Sequence, residues 1–414
     1  MNRFPRRAIV LALAALAANG AYAQTQGEAN VLREASARRD GIAMHRPGLD
    51  LSLYGLIDLT LVSRNNANAA GDRMTNIETP WFSGARWGMI GSRNLPDGAP
   101  SVIFKLEGEY VAATGKLDTD NTIFNRDAWV GFYGDNFGKL TLGRQNTLAR
   151  DFSGNWGDPY TPDGQVTYEE RGWTNTNNFK QLIFYAASPT STRWDRGVVY
   201  KKQFGSIMAG VGHQFQSPGT GNDPVAGQNS RDTSNTAGLA WNGGTINVSG
   251  FYNQSDVSTV TPVVGPSLKH KSYGLGGNVG VGPMVRVFGG WMHYTADQPA
   301  AVGQRKDNAW TLSARLAPAG KLDYELGYAH FKADNAGVNA AGFILNPYAN
   351  TNAVTRGVTG TKGTIYGSLF YHFDRSTEVY LVADRMKTKD GWADPRSFGK
   401  PDQNEYGIGI RTRF

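Results

Sequence analysis

The chain has 414 residues, 52 of them glycine and none cysteine, a formal charge of +7 at neutral pH, and 11% aromatic side chains. Mean hydropathy is −0.42. After the N-terminal leader no stretch approaches the ~20 apolar residues of a membrane-spanning helix, so a helical membrane protein is excluded. The positive charge is mild and unclustered, which argues against a nucleic-acid partner. Abundant glycine with Tyr, Phe and Trp suits strands, tight turns and interfacial aromatic belts.

At the N-terminus, Arg3, Arg6 and Arg7 precede an apolar run, Ala8 to Ala18, and the small-residue site Ala21-Tyr22-Ala23. This is the pattern of a cleaved secretory signal peptide over 1–23. Residues 24–48 are polar and of mixed charge, with Val31, Leu32 and Ala35 as an apolar group. We expect a flexible periplasmic extension, with a short docking helix as the alternative; Pro47 separates it from the first strand.

From Leu49 the sequence alternates with period 2, the signature of strands with one apolar face. Leu49, Leu51, Leu53, Ile57, Leu59 and Leu61 share one parity; Asp50, Ser52, Tyr54, Asp58 and Thr60 share the other. Further strands are predicted at about 82–93, 102–112, 124–133 and 139–145, then at 194–202 and 206–215. They continue at 235–241, 245–253, 272–281, 284–294 and 308–316, and close with 321–332, 361–373, 377–387 and 403–414. The connections alternate strictly, seven short and eight long. That gives sixteen antiparallel strands with both termini on the short-turn side. Short turns at one end and long loops at the other are the layout of an all-β transmembrane barrel in an outer membrane, spanning 49–414. In such a barrel apolar residues face lipid and polar ones a water-filled lumen. A soluble sandwich has no reason to segregate loop length by end.

Parity then assigns faces. Val102, Phe104, Leu106 and Tyr110 face lipid, so Lys105, Glu107 and Glu109 face the lumen, as do Asp58, Arg411 and Arg413. Arg144 violates the rule, sharing the side of Leu140 and Leu142. Tyr294, Phe373, Tyr406 and Phe414 sit near strand ends and are read as interfacial girdle residues. The six histidines are scattered, and neither HExxH nor GxSxG occurs, so neither catalysis, nor a metal, nor a cofactor is expected.

Five stretches carry a resemblance to a known family: SLYGLIDLTL at 52–61, ARWGMIGSRNLPDGAPSVIFKLEGEY at 85–110, FNRDAWVGFYGDNFGKLTLGRQ at 124–145, RWDRGVVY at 193–200 and YGIGIRTRF at 406–414. Together they resemble the proteobacterial general-diffusion porins, which are trimeric sixteen-stranded barrels. The resemblance implies a passive outer-membrane channel for small hydrophilic solutes and ions, and a homotrimer bathed in outer-membrane lipid. It also implies that Tyr406 and the terminal Phe414 serve as a signal to the barrel assembly machinery. The chain departs from the family at Ile90, where a basic residue is common, and at Thr412, where His is common. A substrate-selective channel is the alternative, and a barrel enzyme or adhesin a remote one.

The longest connection, 146–193, carries too many aromatic groups to leave in water and includes an added apolar piece, FKQLIFYAASP. The resemblance implies that it folds inward and narrows the pore. It offers Asp151, Asp158, Asp163, Glu169 and Glu170, and the facing walls offer Arg86, Lys105, Arg126 and Arg144. Opposed charges across water would set a transverse field. Mixed signs on the lumen wall predict weak selectivity, with a slight preference for anions.

Overall fold

Alternation along the chain becomes a closed sheet. The computed structural model describes residues 42–78, 81–157, 180–217, 223–257, 267–317, 320–351, 353–374 and 376–414. Among these, sixteen long strands pair antiparallel in chain order and the last pairs with the first. They are β1 Leu49–Arg64, β2 Arg86–Arg93, β3 Ser101–Val111, β4 Asp127–Gly134, β5 Gly138–Asn146, β6 Arg193–Phe204, β7 Ile207–Gln214 and β8 Thr233–Asn242. The remaining eight are β9 Ile246–Val257, β10 Leu268–Val281, β11 Val285–Ala296, β12 Arg305–Leu316, β13 Leu322–Gly337, β14 Gly357–His372, β15 Thr377–Asp390 and β16 Asp402–Arg413. Closure leaves no free edge, so every stave satisfies its backbone within the sheet.

The faces obey parity. On β13, Leu322, Tyr324, Leu326 and Tyr328 are exposed while Asp323, Glu325, Ala329 and Phe331 are buried. On β16, Tyr406, Ile408 and Ile410 are each about half exposed, as is Phe414 just beyond it, whereas Arg411 is buried. An outward apolar band and an inward polar lining are what a lipid-embedded, water-filled barrel requires.

The seam has its own fittings. Gly55 and Phe414 exchange backbone hydrogen bonds of 2.7 and 3.1 Å. The Phe414 ring lies over Gly55, where a Cβ would sit 2.3 Å from the ring. Beyond the C-terminus, the short strand Ile42–Arg46 pairs with Leu49–Leu53 of β1. The last part of the N-terminal extension is therefore strand, and residues 1–41 lie outside the described residues. Two further short strands, Met74–Glu78 and Lys116–Leu117, pair with β1 and β3.

Two expectations change. The second stave starts at Arg86, not Phe82, because Phe82 turns into the lumen against Phe370 and Tyr380, both at 4.8 Å. There the Ser83 N–H donates to the Asp58 carboxylate at 2.9 Å. Tyr294 is not a girdle residue: it faces inward, buried, and its hydroxyl bonds His270 Nδ1 at 2.8 Å. Phe373, Tyr406 and Phe414 do lie exposed on the outside.

Candidate functional site

The described parts of the third long connection pack on the inner wall. Helix α1, Leu148–Gly157, starts at Thr147, whose hydroxyl accepts the Arg150 N–H at 3.2 Å. This is N-capping by a side-chain oxygen. Asp151 in the first turn suits the positive end of the helix. It is held by Lys201 of β6 at 2.9 Å and by the Asn146 amide at 3.0 Å.

The wall beneath α1 is made to receive it. Phe152 lies so close to Gly238 on β8 that a Cβ there would sit 2.3 Å from its ring. At Gly210 on β7 the nearest atoms would be Phe152 at 2.9 Å and Leu148 at 3.1 Å. The missing side chains let the helix lie flat. Leu148, Ala149 and Phe152 are fully buried, and burying the Phe152 ring alone contributes about 1.5–3 kcal/mol. Ser249 of β9 donates its hydroxyl to the Phe152 carbonyl.

The chain returns through a 3-10 helix, Lys180–Ala186, formed by the added apolar piece. This piece anchors the loop to the wall: Ile183, Tyr185, Ala186 and Ala187 are buried. The Tyr185 hydroxyl donates to Asp307 of β12 at 2.9 Å, and Arg305 grips the same carboxylate at 2.6 Å while bonding the Leu345 carbonyl at 2.7 Å. Asn253 of β9 donates to the Ala187 carbonyl at 3.0 Å and to the Tyr348 hydroxyl at 2.7 Å. The connection after β13 thus joins the same packed layer.

The opposite wall is charged. Lys105 and Glu107 of β3 lie 3.6 Å apart, and Lys105 lies 3.2 Å from Asp127 of β4. Arg126, just before β4, pairs with both Glu107 and Glu109. Arg86 of β2 stands 3.9 Å from Glu107, and Tyr54 of β1 donates to Glu107 at 2.7 Å. Three of the predicted basic residues, Arg86, Lys105 and Arg126, are thereby brought together with Glu107 and Glu109.

Arg144 is not with them. Where β5 meets β6, Arg144 faces two residues, Asp195 and Arg196, at a register shift, with Arg196 at φ 53°. Its guanidinium pairs with Asp195 and donates to the Asn125 carbonyl at 2.8 Å, on the parity of exposed Leu142. A second network spans the seam: Asp58 accepts the Tyr380 hydroxyl, while Arg411 pairs with Glu378 and donates to the Ser83 hydroxyl at 3.1 Å. Arg413 lies 3.4 Å from Glu378. Of the predicted acidic loop residues, Asp151 is on α1, while Asp158, Asp163, Glu169 and Glu170 lie outside the described residues.

Sequence reasoning missed Arg150. It projects from α1 into the field of the charged wall and donates to the Thr192 hydroxyl at 3.4 Å. Burial, then the nearby Arg126 guanidinium, draws its pKa down to about 10, with Asp151 and Asp127 opposing and Arg86 adding to the repulsion. It stays charged at neutral pH. Arg193 adds to the group, its Nε donating to the Arg126 carbonyl at 3.0 Å. The signal available in sequence was adjacency: Arg150 precedes Asp151, the acid in the first turn of the same helix.

The Gram-negative porin family model matches residues 9–391 of the chain. An outer membrane porin protein of Bordetella pertussis is 27% identical over 396 residues, covering 88% of this chain and 94% of that protein. Among solved structures, an anion-selective porin from Comamonas acidovorans superposes with a TM-score of 0.67 at 19% identity, over 88% of this chain and all of that one. The outer-membrane protein OmpT of Vibrio cholerae gives 0.59 at 16% identity, over 90% of this chain and all of that one.

Proposed function

The chain belongs to the Gram-negative porin family; it is an outer-membrane general-diffusion channel rather than an enzyme, and from that premise we propose that its pore prefers anions weakly, at a constriction between α1 and the β2–β4 wall. The observation that carries this is Arg150. On the wall itself Arg86, Lys105 and Arg126 are balanced by Glu107, Glu109 and Asp127. Arg150, beside Arg126 and Arg86, and Arg193, bonded to the Arg126 carbonyl, together make the site positive. A low-dielectric wall focuses that field on the narrow passage. The anion-selective character named for the Comamonas relative points the same way.

In the same reading the protein is a homotrimer, residues 1–23 are removed on export, and the last strand with Phe414 is read by the assembly machinery. A Vibrio cholerae OmpT structure described as a trimer form, with a TM-score of 0.58, supports the oligomer.

The test is the reversal potential of single channels in a salt gradient. Arg150→Gln should move it toward cations with little change in conductance. An unaltered reversal potential from a folded Arg150→Gln channel would remove the anion preference from the proposal.

A further inference from the structure

The second stave of the barrel is two strands with a finger of chain between them. Met74–Glu78 pairs with Thr60–Arg64 of β1, and β2 pairs with Leu49–Leu56. From Trp81 to Ala85 the chain leaves the sheet and enters the lumen, where Trp81, Phe82 and Ala85 are buried.

The finger is pinned on both sides of Gly84. Before it, the Phe82 ring packs on Phe370 and Tyr380. The Ser83 N–H donates to Asp58 at 2.9 Å, and its hydroxyl accepts from Arg411 at 3.1 Å. After it, the Ala85 carbonyl accepts the Tyr110 N–H at 2.9 Å. Gly84 does not take a positive φ, so its backbone would accept alanine without strain.

The reason for glycine is a neighbour. A Cβ at Gly84 would sit 1.9 Å from Oε1, 2.1 Å from Cδ and 2.5 Å from Oε2 of Glu109, so its three nearest atoms belong to one carboxylate. That carboxylate fills the volume a side chain at 84 would need. In this seat it pairs with the Arg126 guanidinium, which also pairs with Glu107. The Glu109 backbone is fixed too: its N–H donates to Asn125 Oδ1 at 2.7 Å and its carbonyl accepts the Asp118 N–H at 3.1 Å. With main chain held on both sides of the contact, bulk at 84 is relieved by rotation of the Glu109 side chain into another rotamer. Glu109 is partly exposed on the lumen face of β3, so the open direction is the water of the pore.

We infer that Gly84 is a specificity-determining residue of the channel: by leaving room for the Glu109 carboxylate against the finger, it keeps that negative charge beside Arg126 and out of the ion path. The inference rests on the constriction proposed above, where a low-dielectric wall focuses the field of such charges.

The experiment measures single-channel conductance and the anion-to-cation permeability ratio, the latter from reversal potentials in a salt gradient, on the full-length channel. Gly84→Ala should lower the conductance and lower the ratio at least about two-fold, the effect of a unit charge brought to about 10 Å from an ion in water. Glu109→Gln should raise the ratio. Gly84→Ala with Glu109→Gln should lower the conductance as Gly84→Ala does but leave the ratio where Glu109→Gln puts it, because the displaced group then carries no charge. Gly84→Ala with Glu109→Asp should restore the wild-type conductance, since a shorter carboxylate clears the new methyl group. A wild-type ratio from Gly84→Ala beside a shifted one from Glu109→Gln would overturn the inference and leave the constriction standing. So would an equal fall in ratio with Gln at 109, or a Gly84→Ala chain that forms no channel even with Glu109→Asp. Unaltered ratios from both Glu109→Gln and Arg150→Gln would instead remove the constriction itself, and this inference with it.

Discussion

Two sides of the lumen are built from the same alternating strands and end up doing opposite things. From β7 to β13 the inner face is covered by chain. Phe152, Ile183, Tyr185 and Tyr348 fill it, glycines let the helix approach, and hydroxyls and amides satisfy the backbone. From β2 to β4 the inner face stays polar, with Arg86, Lys105, Glu107, Glu109 and Arg126 linked in one network. The first side fixes where the loop lies; in the function proposed here, the second decides what passes it. The packed wall admits charge only in closed pairs such as Arg305 with Asp307 and Lys201 with Asp151, and an open charged wall cannot be packed against without a desolvation cost, so the two tasks fall to separate arcs.

The comparison breaks most severely if the packed side is hollowed. Phe152→Ala should cost about 3–5 kcal/mol of helix docking and raise single-channel conductance, while heat stability of the barrel in detergent barely changes. Conductance equal to wild type would mean that α1 is held by something other than its aromatic anchor. Overfilling from beneath is milder: Gly238→Val pushes against the same ring and should cost about 1–3 kcal/mol, with conductance again rising and becoming noisier.

On the charged side, Glu107→Gln removes the carboxylate shared by Arg126, Lys105 and Arg86. Reversal potential should shift toward anions, opposite in sign to Arg150→Gln. The shift should fade near 1 M salt, where the screening length is ~3 Å. A shift of the same sign from both changes would sink the idea of one balanced field.

The smallest effect concerns a loop. The Asp394 carboxyl is buried, which by itself raises its pKa, but the Lys362 ammonium at 2.8 Å and the Arg396 N–H hold it below the ordinary value. A carboxyl depressed in the folded state contributes stability above its unfolded pKa, and that contribution is lost as pH falls through the folded value. Protection factors over 391–401, taken against the intrinsic exchange rate at each pH, should therefore fall on acidification. Asp394→Asn should be weakly protected at all pH and flatten the dependence.

The staves were legible because connection length and parity are both set by the membrane. Lys105, Glu107, Glu109 and Arg411 fall inward as their parity says. Legibility fades where the inner face is also apolar. On β11, Phe288, Met292 and Tyr294 point inward against packed chain while Val287 and Trp291 point out. Period-2 contrast is lost there, which is why Tyr294 read as a girdle residue. Phe82 misled for the opposite reason: an aromatic before a clear strand looks like its first residue, and the Ser83 bond to Asp58, with packing on Phe370 and Tyr380, turns it inward. Arg150 was hidden because a charge in a loop has no parity to betray its direction.

The seam has a consequence for how the molecule comes to exist. Asn404 donates its backbone N–H to the side chain of Asn65, 339 residues earlier, and Phe414 is the residue that meets Gly55. No shorter chain emerging during synthesis can make these bonds. Until the last residues arrive, every intermediate carries open strand edges, which invite pairing with other chains. Such long-range pairing is also intrinsically slow to form. The strand edges are thus covered only once β16 has paired with β1, which ties closure of the whole sheet to one contact between segments far apart in sequence.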